Sequence, residues 1–131
     1  MAQFDILVLG GGPAGYVAAL RGAQLGLNVG VVEREGLGGT CVLWGCIPAK
    51  ALLEAASIAQ KVAKGKEFGV TAEKVTLDYG VAMKRSRQVS AQNSKGVEFL
   101  FKKNKITWLK GTGTLGPNKS VKVTGVDGKT E

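Results

Sequence analysis

A short apolar run that ends in a glycine-rich turn constrains the fold of this chain more than any other feature. Residues 4–10, FDILVLG, are typical of a buried parallel strand. The glycines that follow complete a Gly-x-Gly-x-x-Gly pattern, at Gly10, Gly12 and Gly15. A helix is predicted from Pro13 to Gly26, because proline suits a first helical turn and glycine suits a helix end.

A second apolar run, NVGVVE at residues 28–33, completes a strand–helix–strand unit. The connection predicts two parallel strands joined by a right-handed crossover, as in α/β folds. The helix between them should pack on the sheet, and its small residues allow a close approach. We assign this packed face to Ala14, Val17, Ala18 and Leu25.

Two long helices and a β-meander are predicted for the remaining residues. The first helix spans about 41–64, and Gly45 and Pro48 predict an irregular first turn because proline removes a backbone donor. The second helix spans about 78–103. Its apolar stripe is only moderate and comprises Val89, Val97, Leu100 and Phe101. The segments KITWLKGTGTLG and SVKVTGVDGKTE are typical of meander strands, with a hairpin turn at Asp127-Gly128.

These elements predict a Rossmann-like α/β domain with a parallel sheet, long helices and a C-terminal β-meander. The length of 131 residues suits about one domain. Two parallel strands are few for a doubly wound sheet, and the chain ends just after a turn signal. We therefore expect residues 1–131 to be the N-terminal part of a domain that is incomplete as given.

The glycine pattern and the residue that ends the second strand predict a dinucleotide site. Gly10 permits a tight turn, Gly12 lets a pyrophosphate approach the backbone, and Gly15 lets the helix and strand pack closely. The helix N-terminus offers free N–H groups and a partial positive charge to the phosphates. At the end of the second strand, the carboxylate of Glu33 can accept hydrogen bonds from both ribose hydroxyls of an adenosine. Because it would repel a 2′-phosphate, the pattern favours FAD or NAD over NADP.

The two cysteines of the chain, Cys41 and Cys46, are five positions apart. In a regular helix such residues lie about 7.5 Å apart along the axis and point ~140° away from each other. A disulfide requires Cα atoms within about 7 Å, so the pair can bond only where the helix is irregular, as Gly45 and Pro48 predict. The absence of histidine leaves too few ligands for a metal site, and two unrelated buried thiols are a minor alternative. Lys50 lies four residues after Cys46 and would favour a thiolate, although a surface lysine is the simpler interpretation.

The net charge of +8 comes from the second part of the chain. Residues 1–50 carry three basic and three acidic residues, whereas residues 51–131 carry 15 basic and seven acidic residues. The lysines are not interleaved with aromatic residues, which favours a solvated basic face over nucleic-acid binding.

No apolar run approaches the ~20 residues of a membrane span, and no basic leader precedes the first strand. These features predict a protein of the cell interior. Without histidine, a mechanism that needs an imidazole base must obtain it from sequence outside this chain.

The segment GGTCVLWGCIPAKALL, residues 38–53, strongly resembles the signature of the flavin disulfide reductases, the class I pyridine nucleotide-disulfide oxidoreductases. GCIPxKALL looks most like the dihydrolipoamide dehydrogenases, because glutathione, trypanothione and mercuric reductases more often have valine where Ile47 stands. The resemblance extends over GGGPAGYVAALRGAQLGLNVGVVE and the glycine pair in KGTGTL. There are two departures. Val42-Leu43-Trp44 stands where Leu-Asn-Val is more common, so that Leu43 could loosen a local hydrogen bond, and Ala49 replaces a serine or threonine.

The resemblance implies that FAD is bound by residues from several parts of the sequence. The first glycine loop would hold the pyrophosphate and the end of the second strand the adenosine ribose, and the residues implied there are Gly10, Gly12, Pro13, Ala14, Gly15, Glu33 and Arg34. The segment around the cysteines would line the phosphate and isoalloxazine side, with Gly38, Gly39, Thr40, Cys41 and Lys50. Gly113 would touch the adenine through its backbone. No metal is implied.

The resemblance also implies a reaction and assigns a role to each cysteine. Dihydrolipoamide, free or on a lipoyl domain, would attack the Cys41–Cys46 disulfide and form a mixed disulfide with the interchange thiol, Cys41. Cys46 would leave as a thiolate against the flavin, and electrons would pass through FAD to NAD⁺ as a hydride. The protein would then be the E3 component of a 2-oxoacid dehydrogenase complex.

Relatives of this kind are homodimers that continue with NAD-binding, central and dimerisation domains, the last of which carries a His–Glu base. The resemblance therefore implies that the isolated 131-residue chain is inactive. A bacterial cytoplasm is the expected location, with the mitochondrial matrix as the alternative, and neither nucleic acid nor a membrane is an expected partner. Two alternatives stay open: a non-catalytic fragment that binds FAD or an adenine nucleotide, and a relative of the glutathione- or mercuric-reductase type.

Overall fold

The computed structural model of the chain describes residues 2–125 and Gly128. Within these residues the sheet contains four strands, which are β1 (Ile6–Leu9), β2 (Val29–Glu33), β3 (Thr107–Leu115) and β4 (Val121–Gly125). They lie side by side in chain order, with β1, β2 and β3 parallel and β4 antiparallel to β3. The α/β class, the parallel first two strands and the final antiparallel pair are confirmed. The hairpin turn predicted at Asp127-Gly128 includes Asp127, which lies outside the described residues.

Four α-helices connect these strands. They are α1 (Pro13–Gln24), α2 (Gly39–Leu43), α3 (Cys46–Ala63) and α4 (Tyr79–Lys103). The single irregular helix predicted over 41–64 is two helices, since Trp44 and Gly45 leave the helical conformation between α2 and α3. The start of α4 agrees with the prediction, and the Asp78 carboxylate caps it by accepting a 3.1 Å hydrogen bond from the Val81 N–H.

The strand β3 has two partners, one along each half of its length. Thr107–Lys110 pair with β2 in parallel, and Gly111–Leu115 pair with β4 in the antiparallel direction. The chain leaves α4 through a tight turn in which the Ile106 N–H donates a 2.9 Å hydrogen bond to the Phe101 carbonyl. The sequence predicted β3 only as a meander strand. It is also the third parallel strand, and its pattern alone cannot reveal a partner so distant in sequence.

The packed face of α1 differs from the predicted one. All the residues assigned to that face are exposed, namely Ala14, Val17, Ala18 and Leu25. The buried residues are Ala19 and Gly22. The cause is the close approach at Gly15, where a Cβ would lie 1.9 Å from the Gly10 carbonyl oxygen. The side of α1 that carries Gly15 must therefore face β1. Ala19 and Gly22 follow at helical spacing and lie on the same side.

The buried face of α4 carries hydroxyl groups that an apolar pattern does not reveal. It consists of Ser86, Ser90, Ser94, Val97 and Phe101. Of the predicted stripe, Val97 and Phe101 are confirmed, whereas Leu100 is 37% exposed. Because serine is small, this face lets α4 pack closely along its neighbours, α2 and α3.

The core lies where β2, α1 and α4 meet. Its buried members are Ala19, Val29, Val31, Leu37, Val97, Phe101 and Ile106. The strand β2 is almost wholly buried, as predicted. The strand β1 was predicted to be buried as well, but it forms an edge of the described sheet, and Ile6 and Leu9 remain 36% and 42% exposed.

Among the described residues, one helical stretch, Gly39–Ala63, has the length and composition of a membrane span, with a mean hydropathy of 1.4 over an 18-residue window. The sequence was expected to contain no such stretch. Length and composition alone are weak evidence for a span. The stretch is interrupted at Trp44 and Gly45, and its longer part, α3, packs along α4. We therefore interpret it as one arm of a helical hairpin.

Candidate functional site

The first glycine loop leaves the N-terminus of α1 open to a ligand. Gly12 is the N-cap of α1 and provides no side-chain cap, and the first turn contains no acidic residue. The first N–H groups of a helix have no intrahelical acceptor, so they are available to an anion. Pro13 and Ala14 form the exposed start of the helix. The loop is fixed to the sheet by the Gly10 N–H, which donates a 2.8 Å hydrogen bond to the Val32 carbonyl.

The Glu33 carboxylate is held beside this loop by two backbone donors. Oε2 accepts a 2.9 Å hydrogen bond from the Gly11 N–H, and Oε1 accepts one of 2.9 Å from the Glu35 N–H. The indole Nε1 of Trp108 donates a 3.0 Å hydrogen bond to the Glu33 carbonyl oxygen. The end of β2 is thus fixed through both the backbone and the side chain of Glu33. The Arg34 side chain is 67% exposed and lies 3.7 Å from the Glu35 carboxylate in a surface ion pair.

A second glycine loop, residues 36–39, lies directly against the first. The Gly38 N–H donates a 2.8 Å hydrogen bond to the Gly11 carbonyl. A Cβ at Gly39 would lie 2.7 Å from the Gly12 Cα, and Gly39 has a φ of +57°. Position 39 therefore needs glycine, both for the close approach of the two loops and for its left-handed backbone conformation. Thr40, which follows in α2, is exposed beside the loop. The two loops form a cradle lined by backbone, which fits a dinucleotide pyrophosphate.

The cysteines lie on either side of the break between α2 and α3. Cys41 belongs to α2 and is half-buried, and Cys46 begins α3 and is exposed. Between them Gly45 has φ −118° and ψ −105°, so the predicted irregularity is confirmed at this residue. Pro48 does not distort α3, because it lies in the first turn, where a backbone donor is not needed. Both cysteines carry free thiols in this structure.

The environment of Cys41 raises the pKa of its thiol above the ordinary value. The largest cause is hydrogen bonding with the Cys46 side chain, followed by burial and by the charge of Cys46. The backbone N–H of Cys46 and the Lys50 ammonium act in the opposite direction. Lys50 is an exposed residue of α3, yet its charge reaches Cys41. This charge and the Cys46 N–H both lower the pKa of the Cys41 thiol, against the larger influences that raise it. The position of Lys50 beside a bound flavin stays a prediction.

The two glycine loops, Glu33 and Gly113 lie at the carboxyl ends of the parallel strands. The first loop follows directly from β1, Glu33 is the last residue of β2, and the second loop begins three residues after Glu33. Gly113 in β3 lies beside them, because a Cβ there would approach the Leu9 side chain at the end of β1 to 2.8 Å. This edge of a parallel sheet is where open α/β folds bind ligands. Within residues 2–125 and Gly128, no cluster of three or more His, Cys, Asp or Glu residues forms a candidate metal site.

Four residues that shape this region were missed by the sequence analysis. Gly11 and Trp108 bind Glu33, Ser94 binds the Leu37 carbonyl beside the second loop at 2.7 Å, and Arg87 binds the Leu43 carbonyl at 3.2 Å. Except for Gly11, each joins segments more than 40 residues apart in sequence. No local pattern marks such contacts.

Comparisons with known proteins agree with this geometry. The model of the pyridine nucleotide-disulphide oxidoreductase family matches residues 4–131. A dihydrolipoyl dehydrogenase of Chlorobaculum parvum is 50% identical over 127 residues, which are 97% of this chain and 27% of the relative. A dihydrolipoyl dehydrogenase of Mycobacterium tuberculosis is 49% identical over 132 aligned residues, covering 100% of this chain and 28% of the relative.

A solved structure shares the fold. The crystal structure of LpdA from Mycobacterium tuberculosis superimposes with a TM-score of 0.87 and 25% sequence identity. The match covers 95% of this chain and 28% of that one. The chain therefore spans a little over a quarter of the length of the relatives that it matches.

Proposed function

Because the chain belongs to the pyridine nucleotide-disulphide oxidoreductase family, we propose that it forms the FAD-binding, dithiol-bearing part of an NAD-dependent dihydrolipoyl dehydrogenase. The observation that carries this proposal is the hydrogen bond from the Gly38 N–H to the Gly11 carbonyl, 2.8 Å long. It joins the loop that suits a pyrophosphate to the segment that leads into the cysteines. The names of the relatives support dihydrolipoamide as the substrate over glutathione or mercuric ion.

The residues of the cradle would hold FAD with their backbone. Gly10, Gly12 and Gly15, with Pro13 and Ala14 at the helix start, would receive the pyrophosphate. FAD, when bound, supplies a two-electron acceptor beside the dithiol and a hydride donor toward NAD⁺.

The remaining parts of the site would hold the two ends of the cofactor. Glu33 would bind the adenosine ribose, with Arg34 near it and Gly113 against the adenine. Gly38, Gly39 and Thr40 would line the path toward the flavin, beside Cys41. Lys50 would lie near the reactive edge.

The two thiols would carry out the exchange with substrate. A thiolate of dihydrolipoamide attacks Cys41 in the Cys41–Cys46 disulfide, so that one S–S bond forms as the other breaks. Cys46 leaves as a thiolate. The second substrate thiol then attacks its own mixed disulfide, which releases lipoamide and returns Cys41 as a thiol. Two electrons have moved from the substrate to the protein pair.

The wider role follows from the same proposal. The complete protein would be a homodimer and would act on the lipoyl domain of a 2-oxoacid dehydrogenase complex as its E3 component. Its NAD site and the base that accepts the substrate proton would lie in domains beyond residues 1–131. We place the protein in the bacterial cytoplasm, where a redox-active cysteine pair is more usual than a structural disulfide.

The proposal is tested by replacing each cysteine in the complete protein. Cys41→Ser and Cys46→Ser should both abolish NAD⁺ reduction by dihydrolipoamide, while the bound flavin, measured by its absorbance, is retained. Full activity in either variant would contradict the dithiol mechanism. Parallel assays with glutathione disulfide and mercuric ion test the substrate class. The isolated 131-residue chain should show no turnover, and flavin bound to it would show that the cradle forms without the other domains.

A further inference from the structure

The turn between the two cysteines is contacted by a side chain of α4. Arg87 Nη1 donates a 3.2 Å hydrogen bond to the Leu43 carbonyl oxygen. Its guanidinium carbon lies 5.2 Å from the centre of the Trp44 ring. Leu43 is the last residue of α2, and Trp44 is the C-cap that follows it. One guanidinium group therefore binds two consecutive residues where the chain leaves the helix.

The end of α2 is a place where such a contact stabilises the backbone. The last carbonyl groups of a helix have no intrahelical donor, and they carry a partial negative charge that favours a cation. A planar guanidinium can donate hydrogen bonds in its plane while its face stacks on an aromatic ring. Trp44 is 63% exposed, so its contact with Arg87 restricts a ring that is otherwise largely in solvent.

The contact also involves the residues in which this sequence departs from the common family pattern. Tryptophan at position 44 provides a ring for stacking, and Leu43 has no polar side chain to fix the turn locally. A hydrogen bond from α4 to the Leu43 backbone fixes the turn from a different element.

We propose that Arg87 is a positioning residue for the Cys41–Cys46 pair, which it serves by holding the turn at Leu43 and Trp44 in the shape that lets the two sulfurs bond. This inference rests on the proposed function of the pair as a redox dithiol. In this role Arg87 acts through the backbone between the two cysteines, at Leu43 and Trp44.

The consequence is a shift of the thiol–disulfide equilibrium. Restricting the turn raises the effective concentration of one thiol near the other, which favours the disulfide. A role of Arg87 as a simple positive charge would act in the opposite direction, since a cation stabilises the thiolates of the reduced pair. Loss of Arg87 thus makes the disulfide easier to reduce if the residue positions the turn, and harder to reduce if only its charge matters.

The experiment measures this equilibrium in the complete, FAD-loaded protein. The protein is equilibrated without oxygen in mixtures of reduced and oxidised dithiothreitol, at ratios where the absorbance shows the flavin to be oxidised. Reduced Cys41 and Cys46 are counted by alkylation and mass spectrometry. In this exchange the two thiols of dithiothreitol form one disulfide, and the protein disulfide takes up their two electrons and two protons. Arg87→Met should raise the equilibrium constant for reduction of the protein roughly three- to tenfold, as expected from one hydrogen bond and one exposed cation–π contact.

Two further variants separate positioning from charge and from folding. Arg87→Lys keeps the charge but loses the planar group, so its constant should lie close to that of Arg87→Met. Arg85→Met removes an exposed arginine that, within residues 2–125, donates no side-chain hydrogen bond, and it should leave the constant unchanged. In a Trp44→Val background, Arg87→Met should have a smaller effect, because one of its two contacts is already lost.

Three results would overturn the inference. The first is an unchanged equilibrium constant for reduction in Arg87→Met, with normal circular dichroism and bound flavin. The second is a disulfide that becomes harder to reduce in Arg87→Met. The third is a wild-type equilibrium constant in Arg87→Lys. If Arg87→Met does not fold, Arg87→Lys and Trp44→Val provide the same test. Failure of the proposed function would be seen separately, as activity retained in the cysteine variants whatever Arg87 does.

Discussion

The hydroxyl of Ser94 on α4 donates a 2.7 Å hydrogen bond to the backbone carbonyl of Leu37, and this contact is buried. Leu37 precedes Gly38, whose N–H binds the Gly11 carbonyl of the first loop. The Ser94 hydrogen bond therefore connects α4 to the two-loop cradle. Ser94→Ala would leave a buried carbonyl without its donor. We expect the free energy of unfolding to fall by about 1–3 kcal/mol, measured by urea unfolding followed through tryptophan emission.

A matched control lies one turn earlier on the same helix. Ser90 is also buried, but within the described residues its Oγ has no hydrogen-bond partner. Ser90→Ala should therefore be neutral or slightly stabilising. Equal destabilisation by the two substitutions would mean that the contact with Leu37 contributes nothing particular.

The cradle should be sensitive to a single methyl group at Gly39. A Cβ there would lie 2.7 Å from the Gly12 Cα, and the backbone has a φ of +57°. Gly39→Ala should weaken FAD binding at least about tenfold, or ~1.4 kcal/mol, measured by the quenching of flavin fluorescence. Gly26→Ala is the control, because Gly26 also has a positive φ, of +85°, but a Cβ there would meet no atom within 4 Å. If the two variants bind FAD equally, steric closeness of the loops is not the cause.

Nucleotide binding should require both carboxylate oxygens of Glu33. Each accepts a backbone hydrogen bond, so Glu33→Gln replaces one acceptor with an NH₂ group that faces another donor. We expect ADP affinity to fall roughly tenfold, which corresponds to the loss of one hydrogen bond to a charged group, as measured by calorimetry. Glu35→Gln removes only a surface ion pair and should bind ADP as the wild type does. A normal affinity in Glu33→Gln would exclude this role of the carboxylate.

The reactivity of Cys41 should depend on pH in a way that identifies its neighbours. Since the thiolate reacts, a raised pKa moves the midpoint of alkylation by iodoacetamide to higher pH than for an ordinary thiol. Cys46→Ala removes the largest cause and should lower the midpoint. Lys50→Met removes an opposing charge and should raise it. Both are read by peptide mass spectrometry of the reduced protein, and a midpoint that moves the other way in either variant would contradict this assignment.

The local backbone features beside the candidate site were predicted correctly. The glycine loop, the start of α1 at Pro13 and the irregular segment at Gly45 follow from the backbone preferences of glycine and proline, which act within a few residues. Glu33 was expected beside the loop because it ends a strand at a recognisable distance from it, and its carboxylate accepts a hydrogen bond from the Gly11 N–H. The spacing of the two cysteines required an irregular helix, which the structure shows at Gly45. Their role as a redox pair came from the family resemblance and stays a prediction.

The parts that depend on tertiary packing were not predicted. The buried face of α1 differs from the predicted one because the close approach at Gly15, rather than side-chain hydrophobicity, decides which side of the helix meets the sheet. The buried serines of α4 resemble surface residues in sequence, and Trp108 and Arg87 bind segments 75 and 44 positions away. Contacts of this kind are set by the fold, so that no short window of sequence contains both partners.

The double pairing of β3 also has a consequence for the order of folding. Its antiparallel bonds to β4 close a short loop, whereas its parallel bonds to β2 join residues separated by more than 70 positions. Closing the larger loop has a higher entropic cost, which falls once the intervening helices have formed and shortened the connection. The β3–β4 hairpin and the α3–α4 pair should therefore form early. The docking of β3 onto β2, which completes the sheet and brings Trp108 to Glu33, should then be the last event.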